Sequence, residues 1–404
     1  MTDLHNKAFS TRAVRAGEDK TAGSPHPVAP SIVPSVSYYY ESMDELEAVF
    51  ANTQPGYVYS RYTSPSVAAF ENAVANLEEG EAALGFASGM AAIQAALLAA
   101  GVQAGTSVVS AFDVYGATHS LLTRFFAGLG VSTRMVDISD LAAVEAALKE
   151  TRPLALLVET ISNPQLKVAD IPALAGLAHR YAARLLVDNT FASPYLCRPL
   201  THGADYVVHS ATKYLAGHGD VLAGVVVTSA ANRARMFETN KLLGSNLGPF
   251  EAWLALRGVK TLPLRMRQQC ATALQLAEWL SARPEIAHVN YPGLATHPQH
   301  ALAQRLFGGQ GSGGVLSFEI REAQTADMFR FIEALQLCLP ATSLGDIYTL
   351  VLHPATSSHR TLSAAERQQA GIREGLLRLS AGIEDLTDIR HDLEQALEKI
   401  YNRT

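Results

Sequence analysis

Between about residue 63 and residue 250, short apolar runs alternate with stretches of helical period, and a chain patterned this way has few folds open to it. Runs at 107–112, 131–136, 154–159, 185–188, 206–210 and 221–228 predict strands, and 65–77, 141–149 and 171–181 predict helices lying between them. Such alternation implies a mostly parallel sheet covered by helices. Ligands of sheets of this kind gather at the carboxyl ends of the strands, so polar residues just after each run are the first candidates for chemistry.

The flanks read differently. Residues 1–62 carry Pro25, Pro27, Pro30, Pro34 and Pro55 and the cluster Tyr38-Tyr39-Tyr40, with one short helical pattern at 43–51. This stretch is expected to be an extended arm docked on something, such as a second subunit. Residues 63–250 form the alternating domain, and 251–404 a second, smaller α/β domain. That second domain opens with a long helical stretch at 249–280, has strands near 314–320 and 376–380, and closes on a helix at 388–400. A length of 404 residues, at ~150 residues per domain, agrees with two or three domains.

Composition narrows the function classes. With 48% hydrophobic and 17% charged residues the chain is neither disordered nor collagen-like. Lys+Arg 32 against Asp+Glu 38 gives −6, and no basic run stands out, so nucleic acid is not an expected partner. Cys197, Cys270 and Cys338 lack ligand spacing, so no metal site and a reducing compartment are expected. The first residues are too charged for a signal peptide, and the longest apolar run, 90–102, contains Gln94 and is shorter than a span of ~20 residues. A soluble cytoplasmic protein without membrane partners is the expectation.

Three segments carry chemistry. In Val207-Val-His-Ser-Ala-Thr-Lys-Tyr-Leu-Ala-Gly-His-Gly-Asp220 a strand ends directly on Ser210, Thr212 and Lys213. A lysine there can form a Schiff base with a carbonyl cofactor while the hydroxyls hold a phosphate; a plain loop lysine is the alternative. The run at 185–188 ends on Asp188, which either faces a cationic group such as a protonated pyridine nitrogen or caps an Asp-Asn-Thr turn. At Ala87-Ser-Gly-Met90 a strand meets an alanine-rich helix, whose start binds a phosphate or is simply capped by Ser88. The GxGxxG match at 309–314 precedes a strand rather than a helix, so it reads as a flexible turn. His209 and His218 show no ligand spacing and read as structural.

Taken with Tyr57-Val-Tyr-Ser-Arg-Tyr62 and Val187-Asp-Asn-Thr190, these segments resemble the γ-subfamily of pyridoxal-phosphate enzymes of cysteine and methionine metabolism, over nearly the whole chain. The resemblance implies the fold-type I transferase fold, a mostly parallel sheet with helices on both faces plus the smaller C-terminal α/β domain. It implies that Lys213 holds pyridoxal 5'-phosphate covalently, that Asp188 pairs with the ring nitrogen, and that Gly89, Met90, Ser210 and Thr212 bind the phosphate. Tyr59 and Arg61 resemble the pair that reaches that phosphate from a neighbouring subunit, which implies a homo-oligomer with shared sites, at least a dimer and by resemblance a tetramer. Tyr115 matches the tyrosine that stacks on the ring and acts as acid or base, and Arg378 the arginine for the α-carboxylate, with Asn163 and Ser343 nearby.

Members of this family eliminate or replace the γ-substituent of an amino acid. Relatives that handle cystathionine have an arginine where this chain has Ser120, and methionine γ-lyases have a cysteine where it has Ala117. Ser343-Leu-Gly-Asp346 still resembles the latter. The resulting expectation is γ-elimination from a homoserine- or homocysteine-type substrate such as methionine or a γ-oxy analogue, without an anionic distal group. Ser120 and Asp346 would also admit a cationic one, such as the oxyguanidine of canavanine. The alternatives are γ-replacement on an acylated homoserine and, outside catalysis, a cofactor-binding protein.

Overall fold

The computed structural model describes residue 4 and residues 6–18, 27–360, 367 and 370–401; Pro25 of the expected arm lies outside them. Seven strands form the larger sheet: β1 (Ala82–Phe86), β2 (Ser107–Ala111), β3 (Ser132–Val136), β4 (Ala155–Glu159), β5 (Arg184–Asp188), β6 (Tyr206–Ser210) and β7 (Gly224–Thr228), in the order β1-β7-β6-β5-β4-β2-β3. Only β7 runs against the others. The period-2 pattern divides each strand between two cores. Leu156, Val158, Leu185, Val187 and Val207 pack toward the helices Pro65–Glu78, Leu141–Thr151 and Ile171–Arg180. Ala155, Leu157, Leu186, Tyr206 and Val208 pack under the helix Gly89–Ala99 on the other face.

The helix starts are dictated locally. Ser64, Ser88, Asp140, Asp170 and Ser229 each accept a backbone amide of the first turn through their own side chains, and Pro65 and Pro172 stand where a missing N–H does no harm. The expected helix at 249–280 is two helices, Pro249–Val259 and Leu262–Ser281. Pro263 cannot donate to a preceding turn, so the chain breaks before it and restarts. The run at 221–228 becomes strand only from Gly224, because Ala223 is held by Thr212 instead of by a neighbouring strand.

A second sheet, β10-β11-β12-β9-β8, is built from β8 (Ile286–Asn290), β9 (Val315–Ile320), β10 (Leu339–Pro340), β11 (Leu350–Leu352) and β12 (Leu376–Ser380). β8, β10 and β11 have no counterpart among the expected strands: β8 carries a register shift between Ile286 and His288, and the other two are very short. Leu316, Phe318, Leu377 and Leu379 of this sheet belong to the same apolar core as Val158 and Val187, so the two sheets share one interior. No described helix is long and apolar enough to cross a membrane.

Candidate active site

Strands β1, β2, β4, β5 and β6 end along one edge of the larger sheet, and the motif residues follow those ends. After β6 the chain turns at once, the Lys213 amide donating to the Ser210 carbonyl at 3.1 Å. Buried Arg265 pins this turn from beneath, donating to the carbonyls of Tyr214 (2.8 Å) and Gly258 (2.7 Å). Gly217 adopts φ +71°, and a Cβ there would lie 2.0 Å from the Arg265 guanidinium, so only glycine lets the loop pass over the arginine. The glycine-rich 309–314 segment serves the same loop: its Gly314 amide donates to the Tyr214 hydroxyl at 3.2 Å.

Lys213 Nζ donates to Ser343 Oγ at 2.9 Å. Burial pushes the ammonium down to about 8, the Arg378 guanidinium lowers it further, and Asp346 opposes both. The amine therefore reaches its neutral, nucleophilic form far more readily than a surface lysine does. Asp346 itself is buried beside the lysine loop, where a Cβ on Gly219 would lie 2.3 Å from its Oδ2. Its charge is directed at the lysine loop, so it gives no support to a cationic distal group on a substrate.

Asp188 satisfies both readings of its motif. Oδ1 accepts the Thr190 amide at 3.0 Å and the Thr190 hydroxyl at 2.5 Å, which is turn capping. Desolvation nevertheless raises its carboxyl above the usual range, against the Thr190 hydrogen bonds and the field of His209. A cation set against it would return it to its ordinary value. His209 lies buried behind the sheet with Nε2 2.6 Å from Glu78 Oε1, a structural place as expected.

The helix Gly89–Ala99 starts against the end of β6. Ser88 Oγ accepts the Ala91 amide at 3.2 Å, so the amides of Gly89 and Met90 are left at the positive end of the helix without intrahelical acceptors. A Cβ on Gly89 would lie 2.8 Å from Ser210 Cβ, and one on Gly224 would lie 2.1 Å from the Ser88 carbonyl oxygen. This close approach leaves the Ser210 side chain directly beside the helix start. The Thr212 hydroxyl, by contrast, accepts the Ala223 amide at 3.0 Å and donates to its carbonyl at 3.3 Å.

Arg378 comes from β12 in the second sheet and is 3% exposed. One nitrogen donates to Asn163 Oδ1 at 3.1 Å, another to the Ser343 carbonyl at 2.8 Å, and Nε has no acceptor. Burial lowers this guanidinium to about 10, leaving it charged at neutral pH among oxygens that carry no charge. A planar cation in this state matches a carboxylate. Lys213, Ser343, Asn163 and Arg378 are thus brought together from three distant stretches of chain.

Tyr115 follows β2 and donates its amide to Glu159 Oε1 at 2.6 Å, while its ring stays 44% exposed. Ala117 and Ser120 are half-buried on the short helix Gly116–Ser120, which runs on into a π-helical turn over Leu121–Phe126; Arg124 on that turn is exposed. Glu159 went unnoticed in the sequence, although it ends the strand beside Asp188. His359 was missed as well: burial and Arg378 push its imidazole down to about 4, so it stands neutral by the Asn163 backbone.

Tyr59 and Arg61 stand apart from this group in the single chain. Tyr59 bridges Ser37, and Arg61 stacks on Tyr59 and Tyr62 at 5.4 and 5.3 Å and donates to the Lys241 carbonyl at 2.6 Å. Among the described residues no hydrogen bond joins either one to Lys213, Asp188, Ser210 or Gly89. Nor do the described residues contain a group of acids, histidines and cysteines that could hold a metal ion.

Pyridoxal 5'-phosphate needs an amine of lowered basicity, an anion for its ring nitrogen and neutral donors for its phosphate. Lys213, Asp188 and the Gly89–Ser210 cradle fit it on all three counts. Comparison with known proteins agrees. The chain is 42% identical over 396 residues to the O-succinylhomoserine sulfhydrylase of Pseudomonas aeruginosa, covering 98% of this chain and 96% of that one. It is 41% identical over 394 residues to the L-methionine gamma-lyase of Pseudomonas putida, covering 96% and 97%. The crystal structure of cystathionine gamma-lyase from Lactobacillus plantarum complexed with L-serine superposes with a TM-score of 0.90 at 36% identity, over 98% of this chain and 99% of that one. The model of the Cys/Met metabolism PLP-dependent enzymes matches residues 10–398, and the lysine, acid and helix start described above are where such chemistry needs them: the chain belongs to that family.

Proposed function

We propose that this enzyme catalyses γ-elimination from a γ-substituted L-amino acid of homoserine or homocysteine type whose γ-group is neutral or cationic, releasing ammonia and a 2-oxo acid. The observation that carries this reading is the distribution of positive charge. Arg378 is buried without an anion beside Lys213 and Ser343, ready for the α-carboxylate, whereas Ala117 and Ser120 offer no charge to the distal end and Arg124 is exposed. Bound cofactor supplies an electron sink for the carbanion formed at the α-carbon. Lys213 holds the cofactor and carries the α-proton. Asp188 keeps the ring nitrogen protonated. Gly89, Met90, Ser210 and Thr212 surround the phosphate, Asn163 and Ser343 orient the carboxylate with Arg378, and Tyr115 delivers a proton to the departing γ-group.

The kcat/KM for cystathionine and O-succinylhomoserine should fall about 10- to 100-fold below that of analogues with neutral or cationic γ-groups, because a serine cannot replace a charge-assisted pair. Oxo-acid release across that series measures it, and cystathionine as best substrate would reverse the assignment. The same series with an added thiol separates elimination from γ-replacement, which the likeness to a sulfhydrylase supports.

We also infer that residues 1–62 act as an arm toward a neighbouring subunit, with 63–250 binding cofactor and 251–404 contributing Arg378. On this reading the enzyme is a homo-oligomer whose sites borrow Tyr59 and Arg61 from the next subunit. Equal mixing of Lys213→Ala and Arg61→Ala subunits should then restore about a quarter of wild-type activity, since half the pairs are hybrids with one intact site of two. Absence of recovery after demonstrated subunit exchange counts against shared sites.

A further inference from the structure

β4 and β5 end side by side on acids. Glu159 and Asp188 are register partners on adjacent parallel strands, so both carboxyl groups stand on the same face of the sheet. They are not equivalent. Asp188 receives two hydrogen bonds from Thr190 and feels the field of His209, all of which favour its charged form. Glu159 is 6% exposed; Oε1 accepts only the Tyr115 amide, and Oε2 has no hydrogen-bond partner. The loop after β2 brings a further acid, Asp113, 7% exposed, and the Asn163 amide approaches from the chain following β4. The nearby cation, Lys167, is 3.8 Å from Asp113 and 3.1 Å from Asp137. Adjacent carboxyl groups with so little compensation do not both ionise, and the better-solvated partner takes the charge.

We propose that Glu159 is a positioning residue that works as a neutral carboxylic acid, fixing the backbone of Tyr115 over the site while leaving Asp188 as the anion for the cofactor ring. This rests on the roles given above to Tyr115 and Asp188. The two Glu159 oxygens divide the work: Oε1, carbonyl-like, accepts the Tyr115 N–H, and Oε2 carries the proton. Burial, then Asp188, raises the Glu159 carboxyl well above the usual carboxylate range, which agrees with that division. Glutamine reproduces both halves with a carbonyl oxygen and an NH₂ donor, and alanine reproduces neither.

The test compares wild type, Glu159→Gln and Glu159→Ala as full-length protein. A buried acid whose carboxyl is raised on folding stabilises the fold fully below its unfolded value, near ~4.3, and loses that contribution as pH rises toward the folded value. The melting temperature of the cofactor-stripped wild type, relative to Glu159→Gln, should therefore drop progressively between about pH 5 and pH 9. In the loaded enzyme, Glu159→Ala should lower kcat about 10- to 100-fold with KM nearly unchanged, and Glu159→Gln should recover most of that loss. A melting difference that does not vary with pH overturns the proposal, as does a Gln variant as impaired as the Ala variant. Should the Ala variant not fold, the melting comparison decides alone. That comparison involves no substrate, so it stands or falls apart from the assignment of γ-elimination.

Discussion

Lys213→Ala should lose turnover by about 10⁴-fold or more, because a single side chain both holds the cofactor and moves the α-proton. The purified wild-type protein should be yellow, and the variant should lack the absorbance of a covalently held cofactor. The environment adds a second signature. Since burial and Arg378 set the wild-type amine at about 8, covalent loading of stripped protein with pyridoxal phosphate should quicken as pH rises through that value and level off above it. Normal turnover by the alanine variant would remove Lys213 from the mechanism altogether. Loading that quickens only near the pH of a free lysine, ~10.4, would show that the Ser343 and Arg378 surroundings do not act on it.

Arg378→Leu is the other large loss. Removing one partner of a buried, hydrogen-bonded charge pair costs about 2–5 kcal/mol, so kcat/KM for any L-amino acid substrate should fall roughly 30- to several-thousand-fold. The fold should tolerate the change, since the guanidinium bonds only to Asn163 and the Ser343 carbonyl and leaves Nε without an acceptor. Melting temperature and kcat/KM measured on the same sample separate the two effects. An unaltered kcat/KM would mean that another group holds the α-carboxylate.

The parts of this molecule that were readable beforehand are those whose physics is local. β6 spans the run expected for it because Val207 and Val208 can be buried on opposite faces of a sheet while Ser210 cannot, and Asp188 closes β5 for the same reason. Lys213 and the start of the helix at Gly89 followed from what comes directly after those strands. Distant pairing was another matter. Nothing in the runs themselves says that β7 is reversed, and the break between Val259 and Leu262 hangs on one proline inside an otherwise continuous helical pattern. Glu159 was hidden because an acid at a strand end looks like any solvated terminus until its register partner is known to be Asp188. Asp346 misled in the opposite sense: its motif placed it by the site, but only three dimensions show its carboxylate turned to Gly219 in the lysine loop. Tyr59 and Arg61 carry a function that one chain alone does not display.

The clamp under the lysine loop also sets a timetable. Arg265 lies on a helix that follows Lys213 in the chain, and Ser343 and Arg378 come later still. At ribosomal speeds of about 5–20 residues per second, roughly ten to thirty seconds pass between synthesis of the lysine and completion of β12. During that interval Lys213 lacks the burial and the neighbouring guanidinium that draw off its proton, and it behaves as an ordinary, weakly nucleophilic ammonium. The nascent chain therefore offers no activated amine to stray aldehydes in its surroundings. Reactivity arrives with the last strand, when the pocket that selects the right aldehyde has been built around it.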